Sequence, residues 1–341
     1  MSRLTVILAI VAMGLASCRD SGRTLPSATG TIYEVLVVAD DAAVQEQARE
    51  VMGADMPCLP QMEPYFDVTV VRHAQFDNVL MPTRNLLIVD INPERYTQAA
   101  VRFKTDVYSH PQAVCVVQSP DRQQFDSLWL ARAAQIRAWF VRQEIDRQNA
   151  FYLHYTNTHA REQVQRRFGA DMLVPSDFQV ICDTLIGETQ CLWMCNDKGT
   201  MRRDIVLYSY SYRSQQMFTR EYQLQKRDSL MGQLVHGAID GTFMGTEYKH
   251  FPPEYNALTL NNAYAGELRG LWKMYGGVSM GGPFVALSRL DVLQQRVVTA
   301  ETFIFAAGQK KRNALRQSEA VLYTLRLSEE VNAIEEVKIT E

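Results

Sequence analysis

This chain has no excess of charge of either sign, few cysteines, and none of the short motifs that most often declare a nucleotide or a metal. Its 341 residues hold 35 Lys and Arg against 38 Asp and Glu, so the basic footprint of a nucleic-acid binder is missing. Neither G-x-G-x-x-G nor G-x-x-x-x-G-K-[ST] follows a predicted strand, which removes the usual support for nucleotide binding. H-E-x-x-H is absent as well. All six histidines (His73, His110, His154, His159, His236 and His250) precede Gly277-Val278-Ser279-Met280-Gly281. A hydrolase built on G-x-S-x-G needs its histidine after the serine. That segment also runs into Gly282-Pro283 and an apolar stretch, the entry to a strand, so a glycine-rich turn explains it better. No cofactor is implied.

The strongest positive signal lies at the start. Arg3 precedes an apolar run from Leu4 to Leu15 and the small pair Ala16-Ser17, the anatomy of a signal peptide over residues 1–17. A spanning helix needs about 20 apolar residues, and Arg19 and Asp20 end this run short of that. Leu15-Ala16-Ser17-Cys18 resembles the bacterial lipobox, in which the cysteine thiol is acylated and the peptide bond before it is cut. The expectation is a chain held to an envelope membrane by lipid on Cys18, each acyl chain contributing about 0.8 kcal/mol per buried CH2. Loss of Arg3 with the signal peptide takes 35 basic residues to 34 against 38 acidic, a net of −4. Residues 18–30 are polar, with Gly, Ser and Pro, and read as a lipidated flexible tether.

The remainder divides by texture. From 31 to 172, strands and helices interleave as in an α/β layer. Apolar runs at Ile32–Ala39, Phe66–Arg72, Leu86–Ile91 and Val114–Gln118 predict strands. Ala42–Met52 suits a helix capped by Asp40 or Asp41, and Asn92-Pro93 and Ser119-Pro120 each predict a helix start. The second is long: Phe125, Leu128, Trp129, Ile136, Trp139, Phe140 and Ile145 recur at helical spacing to about Gln148. Ala160–Phe168 predicts a further helix closed by Gly169. From 173 to 330, strand runs and tight turns predict a mainly antiparallel sheet with one or two helices, and 331–341 reads as a tail. The fold class is α+β, an N-terminal α/β layered half followed by that antiparallel half. Phe178–Leu185 and Thr189–Asp197 read as a hairpin. A four-residue loop there would set Cys182 opposite Cys191 for a cross-strand disulfide, with buried free thiols as the alternative.

Several constellations invite chemistry and also admit a plainer account. Asp40, Asp41 and Asp90 follow strands, where open α/β sheets bind ligands, although capping explains them equally. His236, Asp240, Glu247, His250 and Glu254 are metal-type ligands, but Gly241, Gly245 and Pro252-Pro253 oppose the helix that an E-x-x-H pair requires. Lys310-Lys311-Arg312 with Arg316 offers either a phosphate grip or a solvated helix face. Trp193, Tyr208, Tyr210 and Tyr212 alternate along strands, as a stacking face for sugar or peptide, or as core.

Leu59-Pro60-Gln61-Met62-Glu63-Pro64, Arg269-Gly270-Leu271-Trp272 and Met280-Gly281-Gly282-Pro283-Phe284 resemble segments of an uncharacterised lipoprotein family of Bacteroidota, a domain of unknown function. The resemblance runs from about Ile32 to Leu327, implies a membrane anchor, and brings no reaction or catalytic residue. Surface lipoproteins of that lineage tend to carry acidic residues soon after the acylated cysteine. Arg19-Asp20-Ser21 matches poorly, which points to the outer membrane, facing the periplasm. Trp272 is expected beneath the glycine turn at 276–282, leaving Arg269 to bind a partner carboxylate. Two functions follow. One is a non-enzymatic module binding an envelope protein or glycan while tethered through Cys18. The other is a tethered hydrolase using Asp40, Asp90 or Glu247, which requires two acids clustered in one cleft. The failed catalytic motifs favour the first.

Overall fold

The computed structural model describes residues 24–277 and 279–340. The expected signal peptide and Cys18 lie outside the described residues, among which no helix is long and apolar enough to cross a membrane. The first half forms a five-stranded sheet in the order β2-β1-β3-β5-β4. Its strands are β1 (Glu34–Val38), β2 (Asp67–Val71), β3 (Asn85–Ile91), β4 (Ala100–Thr105) and β5 (Ala113–Ser119). All run parallel except β4, which pairs antiparallel at one edge. The continuous apolar run of β1 is explained by burial on both faces. Val35 and Val37 pack under helices α1 (Ala42–Met52) and α2 (Arg122–His154), while Leu36 and Val38 pack with Phe76, Leu80 and Tyr108 from loops on the other side.

Asp41, not Asp40, caps α1, accepting from the amides of Ala43 at 2.8 Å and Val44 at 3.2 Å. The long helix starts two residues later than Ser119-Pro120 predicts, at Arg122 with Asp121 as its cap. Asn92-Pro93 does not start a helix. Asn92 accepts from the amides of Glu94 and Arg95, but the residues beyond offer no apolar stripe to bury, so one turn forms and the chain passes into β4.

The second half is an eight-stranded antiparallel sheet in the order β10-β11-β12-β13-β8-β7-β6, with β9 beside β11. Its strands are β6 (Gln179–Ile186), β7 (Thr189–Asp197), β8 (Arg202–Ser211), β9 (Phe243–Thr246), β10 (Glu254–Leu260), β11 (Ala263–Tyr275), β12 (Gly281–Asp291) and β13 (Arg296–Phe305). The period of two distributes side chains to two cores. Leu192, Met194, Ile205, Leu207, Val285, Leu287, Val298 and Ala300 face α3 (Thr158–Phe168) and α5 (Arg312–Leu322). Cys191, Val206, Tyr208, Tyr210, Leu268, Trp272, Phe284 and Phe303 face α4 (Arg220–Leu234). A last helix, α6 (Ser328–Thr340), occupies most of the expected tail.

Two further expectations are corrected. The β6–β7 turn contains only Gly187 and Glu188, so the register sets Thr184 opposite Cys191 and Cys182 opposite Trp193. The Cys182–Cys191 pair is displaced by two residues, and both thiols are free, as are Cys58, Cys115 and Cys195. Alkylation of the denatured protein without reductant is expected to modify all five; protection of Cys182 and Cys191 together would show a bond.

The expected tether is also shorter. His110 donates its amide to the Pro26 carbonyl at 2.9 Å, Ala28 to His110 at 3.1 Å, Thr29 to Pro82 at 2.9 Å and Arg84 to Thr29 at 2.9 Å. Residues 26–29 are thus strapped across the N-terminal ends of β3 and β5.

The halves are joined by polar contacts as well as apolar ones. Glu63, from the LPQMEP segment, accepts the amides of Lys311 at 2.7 Å and Arg312 at 3.0 Å, so its carboxylate caps the N-terminus of α5. Arg312 reaches Asp67 at 2.7 Å, and the Tyr152 hydroxyl of α2 donates to the Gln317 carbonyl at 3.2 Å.

Candidate functional site

Arg269 is not free for a partner. It is buried on the α5 face of β11, where its guanidinium donates to Glu267 at 2.6 and 3.0 Å and to Glu319 of α5. Arg316 holds the second Glu319 oxygen at 2.9 Å, and the Tyr323 hydroxyl donates to Glu267 at 2.7 Å. Burial alone would raise Glu319, but Arg269 and Arg316 hold its carboxyl below the usual range. Alternation along β11 sends Trp272 to the opposite face, where it too is buried. Its indole donates to the Ile304 carbonyl at 3.2 Å. Gly282 lies directly opposite Trp272, and a Cβ there would fall 1.9 Å from the Ile304 oxygen. The RGLW and MGGPF segments therefore meet in packing, and neither presents Arg269 or Trp272 to solvent.

Three residues of the basic cluster resolve in the same way, while Lys310 is exposed. Lys311, Arg312 and Arg316 are buried and engaged by Gln61, Asp67 and Glu319. Glu247 and His250 share no helix. Glu247 bonds the Lys273 ammonium at 2.6 Å and accepts from the amides of Lys249 and His250. The Lys273 bond, with those amides, lowers its carboxyl to about 2 despite some desolvation. Beyond the turn that holds Ser279, strand β12 begins at Gly281, so no strand-to-helix elbow presents that serine.

The three aspartates do come together with His73 and Arg122 around a crevice of about 250 Å³ beyond the C-terminal ends of β1 and β3. This is the switch point of the parallel sheet. Every carboxylate there has an internal task. Asp40 accepts from the His73 amide at 2.9 Å and lies 3.1 Å from its Nδ1, Asp41 caps α1 and pairs with Arg122, and Asp90 accepts from Arg95 and from Tyr96 at 2.7 Å.

A further cleft lies elsewhere. A cleft of about 620 Å³ is lined by Tyr212, Gln215, Gln216, Phe218, Thr219, Tyr264 and Leu290, a size typical of ligand pockets. Each wall has a local cause. Tyr212 continues the α4-facing alternation of β8 one step past the strand, held by its amide to the Gln295 carbonyl at 2.9 Å. A single turn, Gln215–Phe218, follows, pinned by buried Met217. Thr219 then caps α4, donating its hydroxyl to the Gln216 carbonyl at 2.9 Å. Tyr264 stands beside the Asn261-Asn262 hairpin turn, whose φ values of 50° and 62° suit asparagine. The Phe218 and Tyr264 rings meet edge to face, 5.4 Å apart at 89°, and Tyr212 lies 6.4 Å from Phe218. Among the described residues, none lining this cleft is charged.

Of the four aromatics singled out in the sequence, only Tyr212 reaches the cleft. Tyr208 and Tyr210 are buried under α4, and Trp193 donates to Asp204 at 2.8 Å. Phe218 and Tyr264 carry no signal in the sequence because they sit at the ends of the helix expected near 218–235 and the strand expected near 264–275, where periodicity says nothing about exposure.

Two family models match this chain. Residues 28–152 match a domain of unknown function, DUF8532, and residues 157–324 match a second, DUF4837. No curated protein matches. The first match covers the parallel sheet with α1 and nearly all of α2. The second begins at α3 and covers the whole antiparallel sheet and α5, which agrees with the packing of α3 on β7 and β8. The chain is thus similar to two families of unknown function joined across the α2–α3 loop, and the Glu63 cap on α5 links a segment of one to a segment of the other.

Proposed function

We propose that the chain is a lipid-tethered binding module of the bacterial cell envelope, anchored through Cys18 and facing the periplasm from the outer membrane. Arg3, the apolar run and Leu15-Ala16-Ser17-Cys18 support the anchor. The observation that carries binding is the open, uncharged aromatic cleft. The acids a tethered hydrolase would recruit support that reading less well: Asp40 and Asp90 are each engaged by donors, and Glu247 belongs to the other half, bonded to Lys273.

With lipid on Cys18, the span Arg19–Leu25 reaches about 25 Å when fully extended. The body is then held close to the bilayer by the strap at the N-terminal ends of β3 and β5, and the aspartate crevice lies at the opposite ends of those strands.

In-cell crosslinking of the full chain, followed by recovery from the membrane fraction, tests this proposal. A discrete partner species is expected, absent with Cys18→Ser and absent with Phe218→Leu. Recovery of the same species with Phe218→Leu, or of none with the native chain, contradicts it.

A further inference from the structure

We propose that the Tyr212–Phe218–Tyr264 cleft binds an uncharged pyranose unit of an envelope glycan. This rests on the binding reading above and names the ligand class.

A sugar ring is amphipathic. One face presents axial C–H groups, and its rim carries hydroxyls or an acetamide. An aromatic face is electronegative and its edge electropositive, so C–H groups settle on the face while polar substituents are turned outward. The cleft has both parts. Phe218 and Tyr264, meeting at 89°, make a corner in which a ring lying on one aromatic has its side against the other. Gln215 and Gln216 are exposed at the rim, and each amide offers two donors and an acceptor, the complement of hydroxyl and acetamide groups.

Charge decides which sugar. A uronate or a phosphate entering a cleft without counter-charge would lose hydration without compensation. A neutral unit has no such penalty. The lining chemistry also separates sugar from peptide. Peptide recognition commonly uses a free sheet edge for main-chain pairing or an arginine for an acidic motif, and this cleft is formed at strand ends from side chains that include neither.

The corner is held in place. The Tyr264 hydroxyl lies 3.1 Å from that of Tyr255, and Tyr255 lies over Gly266, where an added Cβ would fall 2.1 Å from its hydroxyl oxygen. Gly266 is therefore a positioning residue: Gly266→Ala displaces Tyr255 and withdraws the support of Tyr264.

Saturation-transfer NMR on the full lipidated chain in nanodiscs tests the proposal, with tri-N-acetylchitotriose and cellotriose as neutral probes and trigalacturonate as the charged one. Transfer to at least one neutral probe is expected at millimolar concentration, and none to trigalacturonate. Phe218→Leu, which conserves most of the volume without the ring, and Tyr264→Ala are each expected to weaken binding about tenfold while moving the thermal midpoint by no more than about 4 °C. Gly266→Ala is expected to weaken it less. Absence of transfer to both neutral probes, an undiminished affinity in Phe218→Leu, or preference for trigalacturonate overturns the sugar assignment. If both neutral probes fail while the in-cell crosslink still depends on Phe218, the cleft binds a peptide, so the ligand class falls and the binding reading stands.

Discussion

Replacing Arg269 by alanine is expected to destabilise the protein by about 3–5 kcal/mol, the usual cost of removing one partner from a buried ion pair. Two arginines and two glutamates meet between β11 and α5, all buried, with the Tyr323 hydroxyl completing the set. Loss of Arg269 leaves Glu267 with Tyr323 and Glu319 with Arg316 and the more distant Tyr323 hydroxyl. Urea denaturation measures the effect, and a shift of the midpoint without a change of slope marks a stability loss. A partner-binding Arg269, the expectation from sequence, implies instead an alanine variant of native stability. A variant of native stability that loses a bound partner would restore that reading.

The second large effect lies on the opposite face of the sheet. Arg227 of α4 is fully buried, donating to Glu301 of β13 at 2.9 Å and to Thr246 at 2.9 Å, with its guanidinium carbon 3.6 Å from the Phe284 ring centre. Arg227→Met fills most of the space but leaves Glu301 without its cation, and a loss of about 3–5 kcal/mol is expected. Glu301→Gln combined with Arg227→Met should recover part of it, because no uncompensated charge remains.

The same pair predicts a pH dependence. Burial pushes Glu301 up to about 7, with Arg227 opposing, whereas an unfolded glutamate titrates near 4.3, a typical value. In the window between, the folded state holds a proton that the unfolded chain has released. The contribution is therefore fully present below the unfolded pKa and is lost as pH rises through about 7. Stability measured from pH 5 to 8 should show this fall, and Glu301→Gln should flatten it.

The elements legible in the sequence were those whose local pattern and burial agree. The run Glu34–Val38, the recurring apolar residues of α2 and the alternation in β8, β12 and β13 each signal their structure because they face a core along their length. The strands that escaped, β4 (AVRFKT) and β10 (EYNALTL), are edge strands with exposed or half-exposed side chains, so they show neither a continuous apolar run nor a clean alternation. The hairpin at Gly187-Glu188 was legible, but its register was not, since one choice of loop length shifts every cross-strand pair.

Charged residues misled for a different reason. Arg269, Arg316 and Lys311 look solvent-facing because composition reveals a charge but not its partner. Glu319 lies one helical turn from Arg316 but 50 residues from Arg269, and Glu63 lies 248 from Lys311, so the meeting of these groups depends on tertiary packing. The aromatic cleft has the same origin. Tyr212, Phe218 and Tyr264 belong to three separate elements, and only the return of the β10–β11 hairpin beside the turn at Gln215–Phe218 brings them together.

The most direct test of the anchored module is the mass of its N-terminal peptide after purification from the membranes of the native cell. The account predicts a peptide that begins at Cys18, carries a thioether-linked diacylglyceryl group on Sγ, and has lost residues 1–17. A peptide that retains Ala16-Ser17 before Cys18, or one with an unmodified Cys18 thiol, would contradict it.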